Sequence, residues 1–427
     1  MKKSETPLYN AVKKYVKKNP TRFHMPGHKG RGRGIYKSAP YDVTELDFSD
    51  DLLHANGVIK KCEDLFANCY GVKNALMFTT GATGGIFALL FAVKCRTDKL
   101  ILSKNTHKSV FNAMSVLGIE PCFIEVTYSD GIPNPISVND VKDAIARYED
   151  AGAILITSPD YFGRVCDCKG IKQVIGDRLL IADGAHGAHF IFCEFSNRVE
   201  LYSDCAVLSL HKTLPCFTGS AIVTCSNEML FDVLRARRLF HTSSPQYLAM
   251  VSMDYARAYM QKKGRHGYRK LREKLDKIPF EKLDNYDYTK LVLRGGEELS
   301  SRLKSSNIYP ECVCGDYVVL ILSPSDRKRL KRIYRISKQS TAKNTTILDT
   351  PKLERKYSFS ECASRECEKV SFSEVEGRVL AEEVGLYPPG VPQFFRGELI
   401  TKECKDFMIE HKNSLFGVDY DGVIVLK

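Results

Sequence analysis

The sequence predicts an α/β protein, with a large domain on a mostly parallel sheet followed by a smaller α+β domain at the C-terminal end. Three observations carry this. Short apolar runs rich in Ile, Val and Leu recur from about residue 60 onward, bounded by Gly, Pro, Asp or Ser. Helical patterns lie between several of them. The 427 residues are enough for two or three domains at roughly 150 residues each. Apolar strands alternating with helices are buried on both faces, as in a parallel sheet covered on both sides.

Residues 1–55 read as an N-terminal arm. Leu8, Val12, Tyr15 and Val16 fall at helical spacing in a basic stretch, and the segment 25–34 is rich in Gly and Arg. The large domain is expected over 56–290, with strands at Lys99–Ser103, 122–126, Ala153–Thr157, 179–182, 205–210 and Ala221–Cys225. Helices are expected at 85–94, 138–148 and 245–275. The stretch 75–93 carries no charge and is nearly long enough to cross a membrane. Its middle, Thr79-Thr80-Gly81-Ala82-Thr83-Gly84-Gly85, is a polar turn, so no membrane span is expected. The small domain is expected over 291–427, with strands at 317–322 and 423–426, a basic helix at 327–338 and a polar loop at 338–355. In the run Arg327–Arg332 and just beyond it, Leu330, Ile333 and Tyr334 keep helical spacing. That marks a solvated helix face, not a nucleic-acid patch.

Composition narrows the function. With 44% hydrophobic and 27% charged residues, disorder is excluded, and a chain this long needs neither disulfide nor metal to hold a core. Lys and Arg exceed Asp and Glu by 63 − 51 = 12. A basic surface attracts phosphates of every kind, a cofactor's included, so no nucleic-acid partner follows. The 15 Cys are odd in number, which excludes a fully paired secreted framework. Cys166/Cys168 and Cys312/Cys314 are Cys-x-Cys pairs without His or further Cys at the spacing of a zinc site. All are expected to be reduced thiols packing as small core residues, and no metal is expected. No apolar segment follows Met1-Lys2-Lys3-Ser4-Glu5, so the protein is expected in the cytoplasm without a signal peptide.

Ligands of such sheets bind at the carboxyl ends of the strands, and four strand ends carry unusual residues. The strand at 205–210 runs into Ser209-Leu210-His211-Lys212-Thr213. A Lys beside a buried strand is costly unless paired or covalently used, and a desolvated Lys is what Schiff-base chemistry needs. The strand at 179–182 ends in Asp183-Gly184-Ala185-His186-Gly187-Ala188-His189. The turn Thr80-Gly81-Ala82-Thr83-Gly84-Gly85 opens a helix whose N–H groups form an anion site. The strand Lys99–Ser103 leads to Asn105-Thr106-His107-Lys108-Ser109. A phosphate cradle, a ring-stacking His, a carboxylate and a Lys, in that order, are what pyridoxal 5'-phosphate requires.

The sequence resembles the Orn/Lys/Arg decarboxylase group of the fold-type-I (aspartate aminotransferase-like) pyridoxal-phosphate enzymes. The matching segments are Phe23-His24-Met25-Pro26-Gly27-His28-Lys29-Gly30, Asp42-Val43-Thr44-Glu45-Leu46, 80–83, Thr106-His107-Lys108-Ser109, Thr157-Ser158-Pro159, 183–189, 209–215, Thr242-Ser243-Ser244-Pro245 and Tyr387-Pro388-Pro389-Gly390-Val391-Pro392. The short, wing-less members are the closer match in length. The resemblance implies that Lys212 carries the cofactor, Asp183 pairs with its ring nitrogen, His107 stacks on one ring face and Ala185 packs against the other. It implies that Gly81, Ala82, Thr83, Ser209 and His211 hold the phosphate, and that His186 touches the phenolic oxygen or orients Asp183. Thr242 and Ser243 would reach the phosphate of a partner subunit, so a homodimer or higher homo-oligomer is expected.

The implied reaction is decarboxylation of arginine, lysine or ornithine, a step of polyamine biosynthesis, with catalytic residues Lys212, Asp183 and His107. Glu398 and Glu45 are the candidates for reading the substrate's distal cation, with Glu398 the first choice because it follows the Pro-Pro-Gly motif, although Arg396 could neutralise it in a surface pair. Three departures bear on substrate choice. Ala82 stands where the family turn has a hydroxyl. Gly219 stands where a Gln is common. The Pro-Gly-Glu that usually follows the Pro-Pro-Gly motif is Arg396-Gly397-Glu398. Two other readings remain open on the sequence: an aminotransferase or lyase on the same cofactor, with Arg378 or Arg396 clamping the α-carboxylate, and a non-catalytic binding protein using its basic surface.

Overall fold

The structure is a computed structural model that describes residues 5–338, 351–387, 390–419 and 421–427. Most of the 338–355 loop, Pro388 and Pro389 of the Pro-Pro-Gly motif, and the first four residues lie outside the described residues. The main sheet has seven strands, in the order Asn74–Phe78, Ala221–Cys225, Cys205–Ser209, Leu179–Asp183, Ala153–Thr157, Lys99–Ser103 and Glu120–Ile124. The fold is therefore the expected α/β class with a mostly parallel sheet. The chain divides into two compact units. One comprises Met1–Ala92, Leu180–Lys277 and Ser323–Arg327; the other comprises Val93–Leu179, Ile278–Leu322 and Lys328–Lys427.

In the first unit Leu179–Asp183 runs parallel to Cys205–Ser209, with Asp183 opposite Val207. Ala221–Cys225 is antiparallel to both of its neighbours. Leu180, Ile181, Ala182, Val207, Leu208 and Val223 are fully buried, as the continuous apolar runs require. The strand Asn74–Phe78 was not expected from the sequence. Its apolar run and that of the next helix merge in one charge-free stretch, broken only by the turn. That helix spans Gly81–Lys94 and so starts ahead of residue 85. It lies close on the sheet because Gly85 has no side chain: a Cβ there would meet Val207 Cγ2 at 2.5 Å. The helix Pro7–Lys17 buries Leu8 and Val12, and the helix Tyr247–Leu275 is 29 residues long.

In the second unit Lys99–Ser103 pairs in parallel with both Glu120–Ile124 and Ala153–Thr157. The helix Val138–Arg147 opens with a capping box between Ser137 and Asp140. The two strands expected in the small domain join different sheets. Tyr317–Ile321 pairs with Lys290–Arg294 and Cys312–Cys314, whereas Gly422–Leu426 pairs with Cys367–Ser371. The latter sheet packs on a core that includes Val375, Leu380, Phe394, Phe407 and Met408. Among the described residues no helix is long and apolar enough to cross a membrane, and no group of three or more His, Cys, Asp and Glu could hold a metal ion.

Candidate active site

Two neighbouring strand ends of the first unit build the centre of the site. Leu179–Asp183 ends on a buried carboxylate, whose Oδ1 accepts the Ala185 N–H at 3.0 Å. Gly184 donates to the Val207 carbonyl at 2.9 Å, and a Cβ at Gly184 would stand 2.7 Å from Leu208 and Val199. Only glycine lets the chain turn this tightly against the next strand. That turn carries Ala185 and the buried His186. Beyond Ser209, the one-turn helix Leu210–Thr213 presents Lys212, whose Nζ lies 3.1 Å from His186 Nε2. An ammonium at Lys212 donates to Nε2, which puts the imidazole proton on Nδ1.

Around Lys212 the polar groups have bonding capacity to spare. His211 Nδ1 lies 3.0 Å from the Ser220 carbonyl and 3.3 Å from Ser209 Oγ; the carbonyl can only accept, so Nδ1 carries the proton and donates. Ser220 Oγ and Thr213 Oγ1 are buried without a hydrogen-bond partner in the described structure, and such orphans are expensive unless a ligand meets them. The start of the helix Gly81–Lys94 supplies further donors. Gly81 takes φ +70° and Gly219 φ +90°, the left-handed region that favours glycine, and the Gly81 N–H donates to the Gly219 carbonyl at 2.8 Å. An amine, an acid, an imidazole, two orphan hydroxyls and a helix N-terminus fit an anionic, carbonyl-bearing cofactor.

Sequence reasoning missed His241. The Thr79 N–H donates to its Nε2 at 3.0 Å, and its Nδ1 lies 3.0 Å from the Thr242 carbonyl. The ring is thus a fixed neutral tautomer, and burial holds its pKa below the ordinary value. It anchors the residue just before the Thr80–Gly85 turn. The only sequence signal was its place beside the Thr242–Pro245 segment. Glu45 is in this unit too. The Thr44 hydroxyl donates to its Oε2, and its Oε1 is buried without a partner. A cavity of about 250 Å³ lined by Leu53, Lys73, Arg237 and neighbours contains none of these site residues.

In the second unit His107 caps the helix Lys108–Leu117. Its Nδ1 accepts the Ser109 N–H at 3.2 Å, so in the neutral ring the proton is on Nε2. Gly390 approaches that edge: a Cβ on it would meet His107 Nε2 at 3.4 Å, and the Lys108 N–H donates to the Gly390 carbonyl at 3.0 Å. Glu398 is buried, with Oε2 accepting the Phe395 N–H at 2.8 Å. Burial pushes its carboxyl up to about 7, against the pull of that N–H and of Arg355 and Lys104. Arg396 does not pair with Glu398 as the sequence allowed. It forks onto Glu383 at 2.6 and 2.7 Å. Arg378 is held by Glu368 at 2.5 Å and the Leu426 carbonyl at 3.0 Å.

The mostly parallel sheet with a lysine just past one strand end defines a fold-type-I enzyme, the class the sequence predicted. The chain belongs to the Orn/Lys/Arg decarboxylase family. Residues 6–286 match the family's major domain and residues 338–414 its C-terminal domain. An uncharacterized protein, YaaO, of Bacillus subtilis (strain 168) is 31% identical, over 93% of this chain and 92% of that one. The arginine decarboxylase of the same organism is 28% identical, over 96% and 94%. The constitutive lysine decarboxylase of E. coli superposes with a TM-score of 0.80 at 18% identity, over 99% of this chain and 82% of that one.

Proposed function

We propose that this chain decarboxylates a basic amino acid with pyridoxal 5'-phosphate, as a homodimer or larger homo-oligomer in the cytoplasm. Arginine is the first choice of substrate, since several relatives similar over nearly their whole length are named arginine decarboxylase; lysine and ornithine follow. The observation that carries the reading is Lys212 Nζ, 3.1 Å from His186 Nε2, beside the strand that ends in Asp183.

When bound, the cofactor supplies a sink for the electrons released as the carboxylate leaves. Lys212 would hold the cofactor through Nζ. His186 orients Nζ and accepts its N–H at Nε2. Asp183, at the end of its strand, would pair with the ring nitrogen and so support the sink. By the family resemblance, His107 would stack on one face of the ring and Ala185 would pack against the other. The N–H groups at Ala82 and Thr83, with Ser209 and His211, would bind the phosphate, Gly81 shaping the turn through its own bond to the Gly219 carbonyl, and Ser220 and Thr213 have hydroxyls without partners. Thr242 and Ser243 reach the phosphate of a second copy. The proton returned to the α-carbon comes from His107 Nε2 or Lys212 Nζ.

The aminotransferase reading loses support, because Arg396 and Arg378 are already committed to Glu383 and Glu368 and neither is a ready clamp for an α-carboxylate. The test is incubation of the purified protein with arginine, lysine and ornithine in turn. Equimolar amine and carbon dioxide from one of them is expected. Keto acid without carbon dioxide would move the reading to transamination.

A further inference from the structure

The sequence treats its two Cys-x-Cys pairs alike, and the structure separates them. Residues two apart on a strand share a face, so Cys312 and Cys314, on the strand Cys312–Cys314, point the same way. Their Sγ atoms lie 3.6 Å apart. At Cys166 and Cys168 each thiol instead donates to a backbone carbonyl, of Thr157 and Cys166 respectively, at 3.6 Å. The 312–314 strand is at the edge of its three-stranded sheet, paired on one side only, with Cys312 opposite Val319 and Cys314 opposite Tyr317. Cys312 is 6% exposed and Cys314 is partly exposed, so a small oxidant reaches the pair and a bulky one does not.

We infer that Cys312 and Cys314 form a redox-modification site, a vicinal dithiol that a hydroperoxide converts reversibly into an intramolecular disulfide. The two sulfurs need to close from 3.6 Å to a bond of about 2.05 Å. The two thiols differ in character, as attacking and resolving thiols do. The Cys314 thiol donating to its sulfur holds the Cys312 pKa below the ordinary value, and Lys290 adds positive charge, against the opposing effect of burial. The Cys314 pKa is raised.

The chemistry balances. The Cys312 thiolate attacks one peroxide oxygen, the O–O bond breaks and hydroxide leaves, giving a sulfenic acid at Cys312. Cys314 then attacks that sulfur, the S–O bond breaks, and water leaves with the Cys314 proton. Overall two thiols lose two protons and two electrons, and the peroxide becomes two waters. A dithiol reductant reverses the step by exchange. In a reducing compartment such a pair is a sensor and not a staple.

Trypsin makes the test clean. Cleavage after Lys304 and Arg327 releases 305–327 with only these two Cys, and cleavage after Arg164 and Lys169 releases 165–169 with the other pair. The full-length protein is exposed to hydrogen peroxide, alkylated under denaturing conditions, digested and weighed. The 305–327 peptide is expected two hydrogens lighter and unalkylated, and restored to the double alkylation product by dithiothreitol. The 165–169 peptide is expected to be oxidised at least about tenfold more slowly, as burial pushes the Cys166 thiol up. In Cys314→Ser the Cys312 sulfenic acid has no resolving thiol, so dimedone added together with the denaturant should label 305–327 in the variant and not in the wild type. Double alkylation of 305–327 at a dose that oxidises 165–169, or disulfides from Cys312 or Cys314 to other cysteines, would overturn the inference. So would an unlabelled variant.

Discussion

The strand-end region around Lys212 and the buried region around Arg396 both bury charge, but in opposite ways. Around Arg396 the groups satisfy one another. Both Glu383 oxygens meet its guanidinium, Ser115 accepts a further N–H, and Glu398 is met by the Phe395 N–H. Around Lys212, whose amine meets an imidazole, the hydroxyls at Thr213 and Ser220 are left without partners. A closed network spends its polarity on holding the fold, whereas an open one keeps it for a ligand. The difference is checkable, because changes in the open region should remove chemistry and changes in the closed region should alter stability.

The largest effect is expected at Lys212. Lys212→Ala should fold, bind no cofactor that borohydride can fix, lack the visible absorption of the bound cofactor, and show no turnover. A reducible link surviving in the variant would mean that another lysine anchors the cofactor. Next comes Asp183→Asn. The amide fits the same space and keeps cofactor bound, yet cannot hold the ring nitrogen protonated, so kcat should fall on the order of a thousandfold or more. Near-normal kcat would make Asp183 a structural residue and close the open region.

The same contrast explains what the sequence made legible. Lys212, Asp183 and His186 were readable because a costly polar residue directly follows a buried apolar strand, a local and one-dimensional signal. The strand at 205–210 needed no structure to find, since all five residues of Cys205–Ser209 are buried. Strand Asn74–Phe78 was not readable, because its apolar residues run on toward those of the helix after the turn. His241 was invisible for a different reason: its acceptor role toward Thr79 spans 162 residues of sequence. The partner of Arg396 was hidden for the same reason. Proximity in sequence favoured Glu398, two residues away, while the fold brings in Glu383.

A third prediction probes the closed region by pH. The folded pKa of Glu398, about 7, lies above the unfolded value near 4.3, so the folded state holds a proton that the unfolded state has released. Stability therefore falls as pH rises through that window, and is level above pH 7. The full cost is about 4 kcal/mol, from about 1.4 kcal/mol per pH unit. Glu398→Gln, measured by denaturant melts from pH 4 to 8, should flatten this slope and stabilise the protein most at pH 8. An unchanged slope would show that Glu398 is ionised throughout and that Arg355 and Lys104 compensate its burial.

The smallest effect decides which carboxylate reads the substrate's distal cation. Glu398 is a poor reader on physical grounds. Its proton is held up to about pH 7, and Arg355 and Lys104 already lend it positive charge. Glu45 has the opposite character, with Oε1 buried and unmet. A distal cation would give that oxygen a charge-assisted hydrogen bond, and a substrate without one would leave it unpaired, a loss of at least about 2 kcal/mol. At about 1.36 kcal/mol per factor of ten, that is about thirtyfold in kcat/KM. Glu45→Gln should therefore lower kcat/KM about thirtyfold for the preferred basic amino acid and leave norleucine nearly unchanged, whereas Glu398→Gln should shift both substrates alike or neither. The reverse result would move the substrate's cation to Glu398 and make the closed region part of the active site. Equal losses on both substrates in both variants would remove both carboxylates from recognition.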